Sequence, residues 1–141
     1  MALTSGQLAK SAGVGVETLR FYEREGLLPA PARTASGYRQ YPAEAVERVR
    51  FIRRAQLVGF QLKDVRELLA LRDDPDAGSR EVRDRAAGRL AELDVQIKEL
   101  EAMRAELTRL VAECDGVGPA AACPILHQIG GPSGVLPAPA A

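Results

Sequence analysis

The sequence predicts a mainly α-helical chain. A winged helix-turn-helix is expected over residues 1–72, a linker over 73–78 and one long helix over 79–113 suited to a coiled coil. A cysteine-bearing loop with a short helix follows over 114–129, and a disordered tail over 130–141. Three observations support this order. Short apolar-periodic segments near the N-terminus are separated by Gly13, Gly26 and Gly59, and glycine closes helices because it enters the left-handed region without a Cβ clash. Residues 79–113 contain no proline and a single glycine, Gly88, with apolar residues in steps of three and four. The only two cysteines, Cys114 and Cys123, share one stretch, CDGVGPAAACP.

The first element starts at TSGQ, Thr4 to Gln7, which fits a capping box. Leu8, Ala9 and Ala12 then form an apolar face. A second helix is expected from Val16 to Glu25, with Leu19 and either Phe21 or Tyr22 turned inward. Ala9, Gly13 and Leu19 have helix-turn-helix spacing: the alanine allows close approach, the glycine turns and the leucine packs between the helices. The stretch LLPAPARTASGYRQYP reads as a short β-hairpin, the wing. A third helix is expected over 43–57 and a fourth over 62–71, with RDDPDAGS as a break. Over 79–113 the apolar positions Val82, Ala86, Leu90, Leu93, Ile97, Leu100, Met103, Leu107, Leu110 and Val111 form a seam. A rod of roughly 50 Å is too long for a small chain to cover alone. The expectation is an antiparallel coiled-coil homodimer through Leu90, Leu93, Ile97, Leu100 and Leu107.

The composition narrows the function. No apolar run approaches the roughly 20 residues that span a membrane, and the N-terminus MALTSGQLAK lacks the apolar core of a signal peptide. The expectation is a cytoplasmic chain. Lys+Arg and Asp+Glu balance at 19 each, yet residues 1–60 carry nine basic and five acidic side chains. That basic half suits a polyanion partner. With one histidine and no nucleophile beside a base, no enzyme is expected.

Three readings of the cysteines are open: small buried hydrophobes, a redox-switch disulfide, and paired thiolate ligands. The Gly/Pro loop favours the third. Two ligands suit zinc poorly, since zinc takes four. They suit soft d10 ions that accept two-coordination: Cu(I), Ag(I), Au(I) and Hg(II). His127 follows Cys123 by four residues, either facing the loop or lying on the surface.

The segments RFYEREGLL, GYRQY and FIRRAQLVGFQLKDVRELL, followed by the long helix and CDGVGPAAACPIL, resemble the MerR family of bacterial transcription regulators over residues 2–129. The resemblance implies a homodimer on promoter double-stranded DNA. Metal binding would distort an over-long promoter spacer so that RNA polymerase holoenzyme engages both elements. It assigns Arg20, Tyr22, Arg39 and Tyr41 to DNA, with Thr4, Val16, Thr18 and Tyr38 completing the expected interface. For Tyr22 and Tyr41 the alternative is a packed ring with a satisfied hydroxyl. The third cysteine of divalent-ion sensors aligns with Ser79, which resembles the copper-efflux regulator (CueR) branch and makes Ser79 the metal-selectivity position. The eight residues between the cysteines instead resemble the mercury branch. Cu(I) is the expected effector, with Ag(I) and Au(I) in the same class, Hg(II) as the alternative metal and thiol redox sensing as the alternative chemistry.

Overall fold

The structure, a computed structural model, describes residues 2–130; the tail expected beyond them lies outside the described residues. The chain forms two compact units, one through Arg89 and one from Leu90 onward.

In the first unit, helix α1 spans Ser5–Ala12 and α2 spans Val16–Arg24. The capping box is formed: Gln7 N donates to Thr4 Oγ1 at 3.1 Å and Thr4 N donates to Gln7 Oε1 at 2.9 Å. Gly13 closes α1 at φ 72°, its N–H reaching back to the carbonyls of Ala9 and Lys10. The wing pairs β1, Ala32–Arg33, with β2, Arg39–Gln40, antiparallel, Ala32 opposite Gln40. Its tip is held by Thr34, which donates its N–H to Tyr38 O at 2.8 Å and accepts from Tyr38 N at Oγ1. Leu3 and Tyr41 exchange two backbone hydrogen bonds, at 2.7 and 2.8 Å, tying the base of the wing to the entry of α1.

Helix α3 spans Ala45–Leu57 and α4 spans Leu62–Asp73. The start of α3 falls later than expected because Pro42–Val46 first makes tight turns, Ala45 N to Pro42 O and Val46 N to Ala43 O. The end of α4 runs past Leu71. Arg72 stands 5.2 Å over the Phe51 ring and Arg48 pairs with Asp73 at 3.0 Å, so contacts to α3 hold the last turn. Leu8, Leu19, Leu27, Tyr41, Val49, Ile52 and Val65 form the centre of the core.

The ends of these short helices are closed by arginines from other elements. Arg50 donates to Ser11 O at 2.8 Å and Arg53 to Gly13 O at 2.7 Å, both at the end of α1. Arg66 donates to Glu25 O and Arg48 to Leu27 O, both at 2.8 Å, just past α2. Terminal helix carbonyls lack intrahelical partners, and a guanidinium satisfies both their hydrogen bond and their partial charge.

Helix α5 spans Ser79–Glu113, the expected bounds. Its first turns belong to the first unit: Arg85 pairs with Glu67, and Arg89 Nε donates to Val58 O at 3.0 Å. In the second unit a 3₁₀ turn, Ala120–Ala122, precedes α6, Pro124–Gly130. Leu110 is buried there, so it leaves the exposed seam.

Gly59 gives a test of how α5 is anchored. It has φ 89°, and a Cβ built on it falls inside the Arg89 guanidinium. Gly13 shares the left-handed backbone but has open space in that direction. Gly13→Ala is expected to cost about 1–2 kcal/mol from backbone strain alone. Gly59→Ala is expected to cost about 1 kcal/mol more, through displacement of the Arg89 hydrogen bond. Urea denaturation measures both, and equal losses would show that Arg89 contributes nothing.

Candidate DNA interface and thiol site

Helix α2 carries the expected DNA-reading residues and divides into two faces. Leu19 and Tyr22 point into the core, while Glu17, Arg20 and Arg24 are exposed. Arg20 makes no hydrogen bond or ion pair with another described residue, so its five donors face solvent. Arg24 lies 5.9 Å over the Phe21 ring. Thr18 is half-buried, and Val16 is half-buried against the core. Thr4 caps α1. Tyr38, at the tip of the wing, is 73% exposed.

Tyr22 and Tyr41, expected at the DNA surface, have their rings in the core, 3% and 1% exposed. The Tyr22 hydroxyl donates to Gln56 Oε1 at 2.8 Å, and the Tyr41 hydroxyl donates to Glu23 Oε1. Burial raises both phenol pKa values, with the Glu23 carboxylate adding to the effect at Tyr41. The reason is leverage: each ring buries a large apolar area and a short polar tip needs one internal partner. Sequence reasoning missed Glu23. Its carboxylate, on α2, receives the Tyr41 hydroxyl and an Arg39 Nε bond at 3.4 Å. It therefore joins α2 to the wing. No local pattern marks it, because its partners lie 16 and 18 residues away.

The thiol site is built by a loop that turns back on the end of α5. Cys114 N still bonds Val111 O at 3.3 Å. Gly116 at φ 75° and Gly118 at φ 91° then redirect the chain, and Asp115 Oδ1 accepts from Val117 N at 2.9 Å. The 3₁₀ turn delivers Cys123 to the start of α6. The two Sγ atoms lie 3.3 Å apart, both residues half-buried. That separation exceeds the ~2.05 Å of a disulfide. It falls short of the ~4.6 Å that two metal–sulfur bonds of ~2.3 Å span in line. The two sulfurs stand within hydrogen-bonding reach of each other.

The two sulfurs are not equivalent. A hydrogen bond from the Cys114 thiol, then the Ile125 and Leu126 amides, pull the Cys123 pKa down. For Cys114 the Gly116 amide also pulls down, but the bond to Cys123, desolvation and the Asp115 charge outweigh it, and its pKa is raised. The shifts favour ionisation at Cys123 over Cys114.

Among the described residues no group of three His, Cys, Asp or Glu side chains is placed to hold a metal ion. His127 is exposed on α6, its backbone N–H bonded to Cys123 O. The donor set is two soft sulfurs, which does not fit a closed four-ligand zinc site and does fit an ion accepting two thiolates. Ser79 lies exposed at the first residue of α5.

Comparison with known proteins matches both units. A family model described as MerR HTH family regulatory protein matches residues 3–71, and one described as MerR, DNA binding matches 46–110. The chain is 39% identical over 124 residues to the HTH-type transcriptional regulator CueR of Yersinia pestis, covering 88% of each chain. It is 35% identical over 129 residues to the mercuric resistance operon regulatory protein of Bacillus cereus, covering 92% of this chain and 98% of that one. Among solved structures, the transcription regulator PbrR691 from Ralstonia metallidurans CH34, in complex with lead(II), aligns with TM-score 0.82 and 38% identity. That alignment covers 90% of this chain and 98% of that one. With its helix-turn-helix, wing, long helix and matching family models, the chain belongs to the MerR family of transcription regulators.

Proposed function

We propose that the chain is a cytoplasmic, homodimeric, metal-responsive transcription activator. In this reading Cys114 and Cys123 bind one Cu(I), Ag(I) or Au(I) ion and so switch promoter DNA distortion by the first unit, letting RNA polymerase engage. The observation that carries it is the pair of sulfurs 3.3 Å apart, without a third candidate ligand among the described residues. Two thiolates and a monovalent ion leave a net charge of −1, which amides such as those of Gly116, Ile125 and Leu126 can balance. Ser79 supports the monovalent choice, since its hydroxyl is hard and stays protonated where a divalent ion would want a further thiolate.

Hg(II) is the second reading. It also tolerates two thiolates, and the eight-residue spacing and the mercuric relative favour it. The structural relative was solved with lead(II), while this site presents two cysteines with no third candidate ligand beside them among the described residues.

The homodimer rests on α5. Leu90, Ile97, Leu100, Leu107 and Val111 are each at least half exposed along one helix. Covering them contributes about 1 kcal/mol or more per side chain. A second copy of the same stripe is the simplest cover, in an antiparallel coiled coil with Leu93. For DNA, Arg20, Tyr38 and Arg39 are the leading contacts, with Thr4, Val16 and Thr18 beside them. Arg39 must exchange its Glu23 bond for a phosphate.

Two experiments test this reading. Arg20→Ala is expected to weaken operator binding by about 1–3 kcal/mol. Its log–log salt dependence should be shallower than the wild type's if Arg20 neutralises a phosphate. Unchanged affinity would remove Arg20 from the interface.

X-ray absorption on the Cu(I)-loaded protein is expected to show two sulfur neighbours; three or four would reject the two-thiolate site. In the metal-free protein, thiolate absorbance should rise in two steps, the first below the ordinary thiol pKa and the second above it. Cys114→Ala removes the donor to Cys123 and should move that first step upward. A single step at the ordinary value in the wild type would show that the sulfurs do not interact.

A further inference from the structure

The thiol loop is closed from outside by a ring of three side chains. Arg109 and Glu113 stand one turn apart on α5, and Gln128 stands on α6. Arg109 Nη1 donates to Glu113 Oε1 at 2.8 Å and Arg109 Nη2 donates to Gln128 Oε1 at 2.6 Å. Gln128 Nε2 donates to Glu113 Oε2 at 2.5 Å. Each member therefore bonds both others. Position 128 must accept from a guanidinium and donate to a carboxylate at once, which an amide does and a carboxylate or an ammonium does not. Glu106 holds Arg109 from its other side through Nε and Nη2, which fixes the guanidinium plane.

The position of this ring gives it a task. Glu113 immediately precedes Cys114, and Gln128 lies on the short helix that begins directly after Cys123. The ring thus clasps the two ends of the loop just outside the sulfurs. Packing does not explain it, since the Arg109 and Glu113 side chains are 46% and 39% exposed. We propose that Gln128 is a positioning residue: by joining α6 to Arg109 and Glu113 it holds Cys123 against Cys114. This rests on the reading of the sulfur pair as the effector site and adds what keeps that pair assembled before an ion arrives. Holding two ligands together in advance removes an ordering cost from binding.

The test uses the full-length protein and three variants. Gln128→Ala opens the ring. Gln128→Glu opens it and sets two carboxylates face to face. The double variant E113Q/Q128E exchanges the amide and the carboxylate, so Arg109 can again bond both and the amide can again donate to the carboxylate. The first readout needs no metal: the thiol–disulfide equilibrium against a glutathione buffer. There Cys114 and Cys123 lose two electrons and two protons to form their S–S bond, and oxidised glutathione is reduced to two glutathione thiols. Its position reports the effective concentration of one sulfur at the other. The second readout is Cu(I) affinity in competition with a chelator.

Opening the ring should shift the disulfide equilibrium toward the dithiol by roughly three- to tenfold, the worth of a surface hydrogen bond or two. It should weaken Cu(I) binding in parallel, while operator affinity stays unchanged. The exchanged double variant should recover both. High salt should bring the wild type toward Gln128→Ala, because an exposed charged ring is screened. A wild-type disulfide equilibrium in Gln128→Ala, or a double variant no better than Gln128→Glu, would overturn the proposal. If the equilibrium shifts as expected but even the wild type fails to bind Cu(I), the clasp stands and the effector assignment fails.

Discussion

Short helices leave a large share of their carbonyls without partners, and the first unit is built around meeting that need. Helices α1 and α2 have 8 and 9 residues, so terminal groups dominate them. Turn amides satisfy some: Gly13 and Val14 bond Ala9 O, and Leu27 and Leu28 bond Tyr22 O. Arginines reach others, Arg50 and Arg53 at α1, Arg48 and Arg66 beyond α2, Arg89 beyond α3. Each bond also fastens one element to another. Together with the apolar core around Leu19, Val49 and Ile52, they hold α2 in one orientation.

This changes how the basic charge of residues 1–60 is understood. The excess of nine basic over five acidic side chains suggests a polyanion surface. Much of that charge is occupied inside the unit: Arg48, Arg50 and Arg53 hold carbonyls, and Arg39 bonds Glu23. The charge left toward solvent on α2 is Arg20 and Arg24, offset by Glu17. A basic count therefore overstates the electrostatic footprint when arginine also closes helices. Glu23 links α2 to the wing through Arg39 and Tyr41, which fixes where the remaining exposed groups of α2 stand.

The parts legible in the sequence are those determined by local chemistry. The capping box at Thr4 and the left-handed glycines at 13, 26 and 59 each act within a few residues, and each stands where expected. The bounds of α5 were equally plain, because Gly78 precedes it and the glycine-bearing loop follows. What was not legible depends on distant partners. Tyr22 and Tyr41 have tips that can face outward or inward, and only Gln56 and Glu23 decide the matter. The last turn of α4 is held by Phe51 and Arg48, outside its own segment. The cysteines stood out by rarity, but the Arg109–Gln128 bond spans 19 residues and follows no repeat. Leu110 fits the seam by spacing yet is buried in its own unit, because periodicity does not say which surface covers a residue.

The second unit concentrates the chemistry. The two sulfurs differ in acidity, Cys123 shifted down by its hydrogen bonds and Cys114 shifted up, so the pair holds two distinct thiols. The most direct measurement is transcription in a purified system with RNA polymerase, at a promoter selected by operator binding, with Cu(I), Hg(II) and Pb(II) each held at a buffered free concentration. The expected result is activation by Cu(I) at the lowest free concentration, lost in both Cys114→Ser and Cys123→Ser while operator binding persists. Metal-dependent activation that survives both substitutions would contradict the assignment of sensing to this pair; activation by Hg(II) at far lower free concentration would reassign the ion.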